Sequence, residues 1–253
     1  MSGHSKWSQI KRKKGLADQK RGAMFSTIVK EITVAARHGG GDINGNMRLR
    51  AVVEKAKESS MPSENIERAI LRGTGQLPGQ TLEEISYEGY GLGGIAVIVE
   101  CLTDSRNRTT AELRHAFTKQ GGNLGEIGSV AWMFDKSGVI QIDRMKHPDE
   151  EKMLEDGLES GADDIVTEDE HYQIKTPPQD VHHVATALKA KGYTAESAEV
   201  SLVPKNWVTP DLVASRACMR LIQELEDFDD VQNVYSNFEP PAELLEEEGG
   251  SQG

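Results

Sequence analysis

KNWVTPDLVASRACMRLIQELEDFDDVQNVYSNF, residues 205–238, holds one helix and one strand that have no neighbours of their own. Asp211 opens a helical pattern that runs to Glu226, and Val231–Ser236 is a strand candidate. A lone helix and a lone strand cannot bury their apolar faces, so they need a host. Residues 80–134 provide one. They contain strand candidates at Ile85–Tyr90 and Ile95–Leu102. The capping-box spacing Thr109-x-x-Glu112 then opens a helix to Lys119, and Ser129–Phe134 reads as another strand. That set is short of one helix and one strand.

The intervening residues 135–204 form a complete unit: strand Val139–Ile142, helix Pro148–Ser160, a short strand near Ile165, strand Tyr172–Lys175, helix Gln179–Lys191 and strand Glu199–Val203. This β-α-β-β-α-β order is the split βαβ arrangement. The economical solution inserts 135–204 as an acidic α/β domain into a middle α/β domain made of 80–134 plus 205–238.

Upstream, three amphipathic helices are predicted. Residues 18–37 carry Met24, Phe25, Ile28, Val29, Ile32 and Ala36, with Asp18 as N-cap. Asn46–Ser59 carries Leu49, Val52, Val53 and Ala56. The third starts at Pro62, carries Ile66, Ala69 and Ile70, and stops at Gly73. Residues 1–79 are thus expected to be a basic helical domain, and 239–253 (EPPAELLEEEGGSQG) a disordered acidic tail. The fold class is α+β and multi-domain: an N-terminal three-helix domain plus two mixed α/β domains of split βαβ, ferredoxin-like type, one inserted in the other.

The 253 residues carry a formal net charge of −12, and that charge is segregated. Residues 1–72 have a net charge of +8, and 73–253 a net charge of −20. Such asymmetry points to a polyanionic partner at one end. There is no apolar run near the roughly 20 residues of a membrane span and no apolar signal core, so a cytoplasmic protein without a membrane partner is expected. Cys101 and Cys218 lie far apart in apolar patterns and read as buried free thiols.

Gly89-Tyr-Gly91-Leu-Gly93-Gly94 matches a dinucleotide fingerprint by letter, but a strand follows it, which makes it a glycine-rich hairpin turn. His182 and His183 are adjacent and cannot share a helix face; with His147 and His171 they read as ordinary histidines. Asp163-Asp164 and Glu168-Asp169-Glu170 read as a solvated loop. No Ser/His/Asp constellation is supported by spacing. The expectation is a non-enzymatic protein with no cofactor, no metal and no small-molecule substrate.

The cationic segment is more specific. His4, Lys6, Trp7, Lys11, Arg12, Lys13, Lys14, Lys20 and Arg21 fall within 19 residues that contain one acid, Asp18. Four consecutive cations repel one another unless a counter-charge is present. Lys20 and Arg21 fall in the first turn of the predicted helix, where the dipole disfavours them. Trp7 and His4 can stack on unpaired bases, while lysines bind phosphates without reading sequence. Arg106, Arg108 and Arg114, with His115, add a second cationic group near a helix start.

At this point a resemblance is evident. GHSKW (3–7), KRG (20–22), LRAVVEKAK (49–57), MPSENIERAI (61–70), YEGYGLGGIAVIVE (87–100), LTDSRNRT (102–109), LRHAF (113–117), GGNLGEIGSVAWMF (121–134) and HPDEEK (147–152) closely resemble the YebC/PmpR family. Leu92 and Ile127 stand where many members have proline. The resemblance implies three domains with the third inserted in the second, and a non-enzymatic cytoplasmic regulator of gene expression. Members are classed as DNA-binding transcriptional regulators. They are also tied to translation, acting at the ribosome on proline-rich nascent chains, and mitochondrial relatives are translational activators of cytochrome oxidase. The family's basic segment matches Lys6, Trp7, Lys11, Lys14, Lys20 and Arg21, and its other motif residues match Asn107, Arg108, Arg114 and His115.

Two partners are therefore expected in principle: ribosomal RNA, or duplex DNA. Either would bind with a steep salt dependence. Changing Lys11, Arg12, Lys13 and Lys14 together to Ala should weaken binding while leaving the circular dichroism and melting curve unchanged. A direct titration giving wild-type affinity for every nucleic acid would remove the segment from the interface.

Overall fold

The computed structural model describes residues 17–79, 81–168 and 170–244, with side chains from residue 24. Three helices come first: α1 (Ala17–Gly39), α2 (Met47–Glu58) and α3 (Ser63–Gly73). They enclose their own core of Ile28, Ile32, Leu49, Val53, Ile66 and Ala69. Asn46 sets the angle between the first two. Its Oδ1 accepts from the Leu49 N–H at 3.0 Å and caps α2, while its Nδ2 donates to the carbonyls of Ala35 and Gly40, each at 2.8 Å. Asp18, expected as an N-cap, falls inside α1, and Pro62 sits one residue before α3 in an extended conformation.

Gly73 has a different role from the expected stop. It is the last residue of α3, and the left-handed turn comes at Gly75, with φ of +77°. A Cβ at Gly73 would run into the Thr33 carbonyl and approach Ala36 Cβ at 2.7 Å. The glycine is there because α1 and α3 cross in near-backbone contact.

The first sheet has the order β3-β1-β2-β8. β1 (Glu83–Tyr90) and β2 (Ala96–Thr103) form an antiparallel hairpin, with Gly93 and Gly94 at positive φ in the tip. This confirms the turn reading of the glycine run. β8 (Val231–Ser236) pairs with β2, so the residues after the insertion do complete this sheet. α4 (Arg106–Lys119) and α7 (Leu212–Glu226) cover one face, burying Tyr87, Val97, Val99, Leu113, Phe117, Leu221 and Leu225. Both cysteines are free and buried, and burial pushes their thiols up to about 12.

The second sheet, β5-β6-β4-β7, comprises β4 (Phe134–Asp143), β5 (Asp164–Thr167), β6 (His171–Thr176) and β7 (Ala195–Pro204). Helices α5 (Glu150–Glu159) and α6 (Val181–Ala190) pack on Ile140, Ile142, Tyr172 and Ile174. This is the expected split βαβ unit. β4 and β7 pair from Phe134↔Pro204 onward, so the chain leaves and re-enters the first layer through two bonded strands. Ala96, Ile98, Val130, Phe134 and Tyr235 seal that junction.

Several local readings differ in the structure. Residues 129–133 are a turn with a short 3-10 segment, Ala131–Met133, and the strand starts only at Phe134. Helix α4 begins at Arg106, and Thr109 is a buried helical residue instead of a cap. A two-residue strand β3 (Asn123–Leu124) was not foreseen. Residues 239–244, assigned above to the tail, pack on the fold: Glu239 N–H bonds the Val208 carbonyl and Leu244 is buried. Residues 245–253 lie outside the described residues.

Gly73→Ala should destabilise the helical unit by about 1–3 kcal/mol, the usual cost of overpacking. A urea melt of that variant matching wild type would mean that α1 and α3 can move apart freely.

Candidate nucleic-acid interface

The structure divides the candidate cations into three sets. His4, Lys6, Trp7, Lys11, Arg12, Lys13 and Lys14 lie outside the described residues. Lys20 and Arg21 fall within the first two turns of α1. Arg106, Arg108 and Arg114 lie on α4, whose residues 106, 110 and 114 share one face.

Arg108 points another way. Its Nη2 donates to Asp230 at 2.7 Å and to Asp104 at 2.9 Å. Asp230 is the centre of a buried network. It also accepts from Lys30 Nζ at 2.8 Å, Thr103 Oγ1 at 3.0 Å and Thr109 Oγ1 at 2.8 Å. Lys30 donates to the Asp229 carbonyl as well. Burial alone would raise the carboxyl of Asp230; the donors from Lys30, Arg108, Thr109 and Thr103 overcome it and hold the group well below the usual carboxylate range. One carboxylate thus ties α1 to β2, α4 and the start of β8. Two exposed contacts support the joint: Arg48 with Glu84, and Arg37 Nη1 to the Leu82 carbonyl at 3.2 Å.

A second carboxylate shapes the neighbouring loop. Glu88 is buried and accepts the backbone N–H groups of Gly128 and Val130 at 2.7 Å and of Ala131 at 2.8 Å. Burial opposes ionisation here too, but the three amides win and its pKa is lowered. The loop so fixed exposes Ile127 (81% accessible) and Trp132 (64%), whose Nε1 donates to the Ser129 carbonyl.

The guanidinium groups of Arg106 and Arg114 have no hydrogen-bond or ion-pair partner among the described residues, and both residues line an open cleft of about 660 Å³. Asn107, Thr110 and Ala111 complete that wall, and Ile85–Glu88, Leu124, Glu126 and Ile127 complete the rest. No group of three or more His, Cys, Asp or Glu suited to a metal occurs among the described residues. Nor is any described helix long and apolar enough to cross a membrane. Lys30, Thr103, Asp230 and Glu88 carry no local signal in the sequence, and Thr109 stands out there only for its capping-box spacing.

A helical unit with its own core, joined by ion pairs to an α+β body with an inserted second sheet, defines a class of multi-domain protein with a cationic end. Residues 5–76 match the TACO1/YebC protein N-terminal domain, and 82–238 match the TACO1/YebC second and third domain. The chain belongs to the TACO1/YebC family. It is 54% identical over 246 residues to a protein of Geobacter sulfurreducens named a probable transcriptional regulatory protein, covering 97% of this chain and 99% of that one. A Dictyoglomus turgidum protein with the same description is 51% identical over 246 residues, with the same coverage. The crystal structure of a conserved hypothetical protein from Aquifex aeolicus superposes with a TM-score of 0.81 at 44% identity, covering 90% of this chain and 94% of that one.

Because the folded pKa of Asp230 is depressed, its stabilisation is fully present above the unfolded value, about 4, and is lost as pH falls below it. Asp230→Asn should cost about 2–3 kcal/mol near neutral pH, since Lys30 and Arg108 lose the buried carboxylate they share, and should flatten the acid limb of stability. Urea midpoints at several pH values check this; an unchanged acid limb would assign it to other carboxylates.

Proposed function

We propose that this protein is a non-enzymatic, nucleic-acid-binding regulator of gene expression that docks through its N-terminal end. The observation that carries the reading is charge segregation: +8 on residues 1–72 against −20 on the remainder. An acidic body repels bulk nucleic acid, so attraction is confined to one end and one orientation. Lys11, Arg12, Lys13, Lys14, Lys20 and Arg21 are assigned to phosphates, with Lys6 beside them and His4 and Trp7 stacking on unpaired bases. This suits folded RNA with unstacked bases, and the target is a ribosomal RNA site. The factor would act by position, biasing a stalled peptidyl-transferase centre toward a reactive geometry.

A second reading, regulation of transcription on duplex DNA, is favoured by the printed names of the Geobacter and Dictyoglomus relatives. It requires an element that reads base edges. The exposed faces of α2 and α3 carry Arg48, Arg50, Arg68 and Arg72, of which Arg48 is paired with Glu84 and Arg50 with the carbonyls of Ile43 and Asn44.

The deciding experiment offers labelled protein to 70S ribosomes and excess duplex DNA at physiological salt, with the four-alanine variant as control. Capture by ribosomes that DNA cannot reverse is the expected result. Sequence-dependent capture by DNA would replace the ribosomal reading with the transcriptional one.

A further inference from the structure

The cleft beside β1 has a feature that nucleic-acid binding does not use. β1 pairs with β2 along its whole length, but with β3 only at Gly89 and Tyr90. Beyond that point the Glu88 carbonyl accepts from Gly125 N–H, and the chain turns away. In an antiparallel strand the N–H and C=O of alternate residues point to the same edge. Ser86 therefore presents its backbone N–H and C=O to the cleft, without a backbone partner among the described residues. Ser86 is exposed, and Ile85, Ser86 and Tyr87 all line the cleft. An open edge of this kind is a template for one more strand.

The side chains around it specify which strand. Arg106 and Arg114 are eight residues apart on α4, about 12 Å along the axis. In an extended chain that distance spans about four residues, and residues four apart share a face. Two acidic side chains at such a spacing would meet the two guanidinium groups together. Ile127 offers exposed apolar surface beside the edge, and the partly buried Leu124 adds to it. A continuous phosphate backbone, charged at every nucleotide, fits less well than two separated carboxylates, because Glu88 and Glu126 line the same cleft.

We propose that this cleft binds an extended segment of a partner protein, added as a strand to the free edge of β1, with acidic side chains four residues apart held by Arg106 and Arg114. The site is separate from the N-terminal cations, so it stands or falls independently of the nucleic-acid reading.

The probe is a fluorescein-labelled peptide, Val-Glu-Val-Ser-Val-Glu-Val, titrated into the full chain by anisotropy. Amide shifts are followed by isotope-edited NMR. Saturable binding is expected, with the Ser86 amide shifting. The combined Arg106→Ala and Arg114→Ala variant, altered only at exposed positions, should bind about tenfold more weakly. The same peptide N-methylated at the alternate residues facing β1 keeps every side chain and should lose binding by a similar factor. Equal binding of the methylated peptide, absence of saturable binding, or displacement of the peptide by oligouridylate at lower concentration than by unlabelled peptide would each overturn the proposal.

Discussion

The Asp230 carboxylate is the constraint on which the arrangement of the molecule depends. Five groups meet it or its neighbour: Lys30 from α1, Thr103 at the end of β2, Arg108 and Thr109 from α4, and the Leu102 N–H on the Asp230 carbonyl at 2.7 Å. An unpaired carboxylate buried to this degree would be protonated or expelled. Here one oxygen accepts from Lys30 and the other from Arg108, Thr103 and Thr109, so burial orders the site instead of opposing it. The consequence is geometric. The start of α4, the start of β8 and the middle of α1 cannot shift independently without stripping a donor from a buried charge.

Glu88 applies the same principle to a loop. Three amides, at Gly128, Val130 and Ala131, converge on its oxygens. Residues 125–133 have little regular structure of their own, yet the N–H groups of Gly125, Gly128, Ser129, Val130, Ala131 and Met133 all have acceptors. This explains how a large apolar side chain at Ile127 can be held out into solvent beside the β1 edge. It also fixes the lead into β4, where Phe134 and Val130 fill the junction between the two sheets. The inserted sheet inherits its position from a carboxylate in the first one.

Local patterns carried most of the architecture. The unpartnered helix and strand of 205–238, the glycine hairpin and the β-α-β-β-α-β order all depend on spacing within the chain, and all stand as read. The misreadings are cases in which a distant residue outvoted the local pattern. Val130 and Phe134 look like alternate strand positions, but Glu88, some forty residues earlier, bends the chain there. Thr109 has cap spacing to Glu112, but its hydroxyl is drawn to Asp230, 121 residues on. Asp230 itself sits in the acidic run EDFDD, which carries no local sign of burial. The cationic group on α4 was half legible. Once the helix starts at Arg106, a turn of about 100° per residue places Arg108 on a different side from Arg106 and Arg114. The residue types named all three; only the helix phase separates the one used internally.

The nature of the joint bears on how the proposed docking end would meet a polyanion. The helical unit and the first sheet have separate apolar cores, and the contacts that join them are polar: Lys30 to Asp230, Arg48 to Glu84 and Arg37 to the Leu82 carbonyl. The two exposed contacts weaken as salt rises, whereas the Asp230 pair, with its carboxylate 6% accessible, is screened far less. In the proposed nucleic-acid complex, salt would therefore reduce attraction for phosphate without releasing the helices from the body. The acidic body stays joined to the helical unit through the buried Lys30–Asp230 pair, so its repulsion of phosphate would act in any such complex. Under that proposal orientation is gained at the expense of affinity, which suits a factor that must sit one way round on its target.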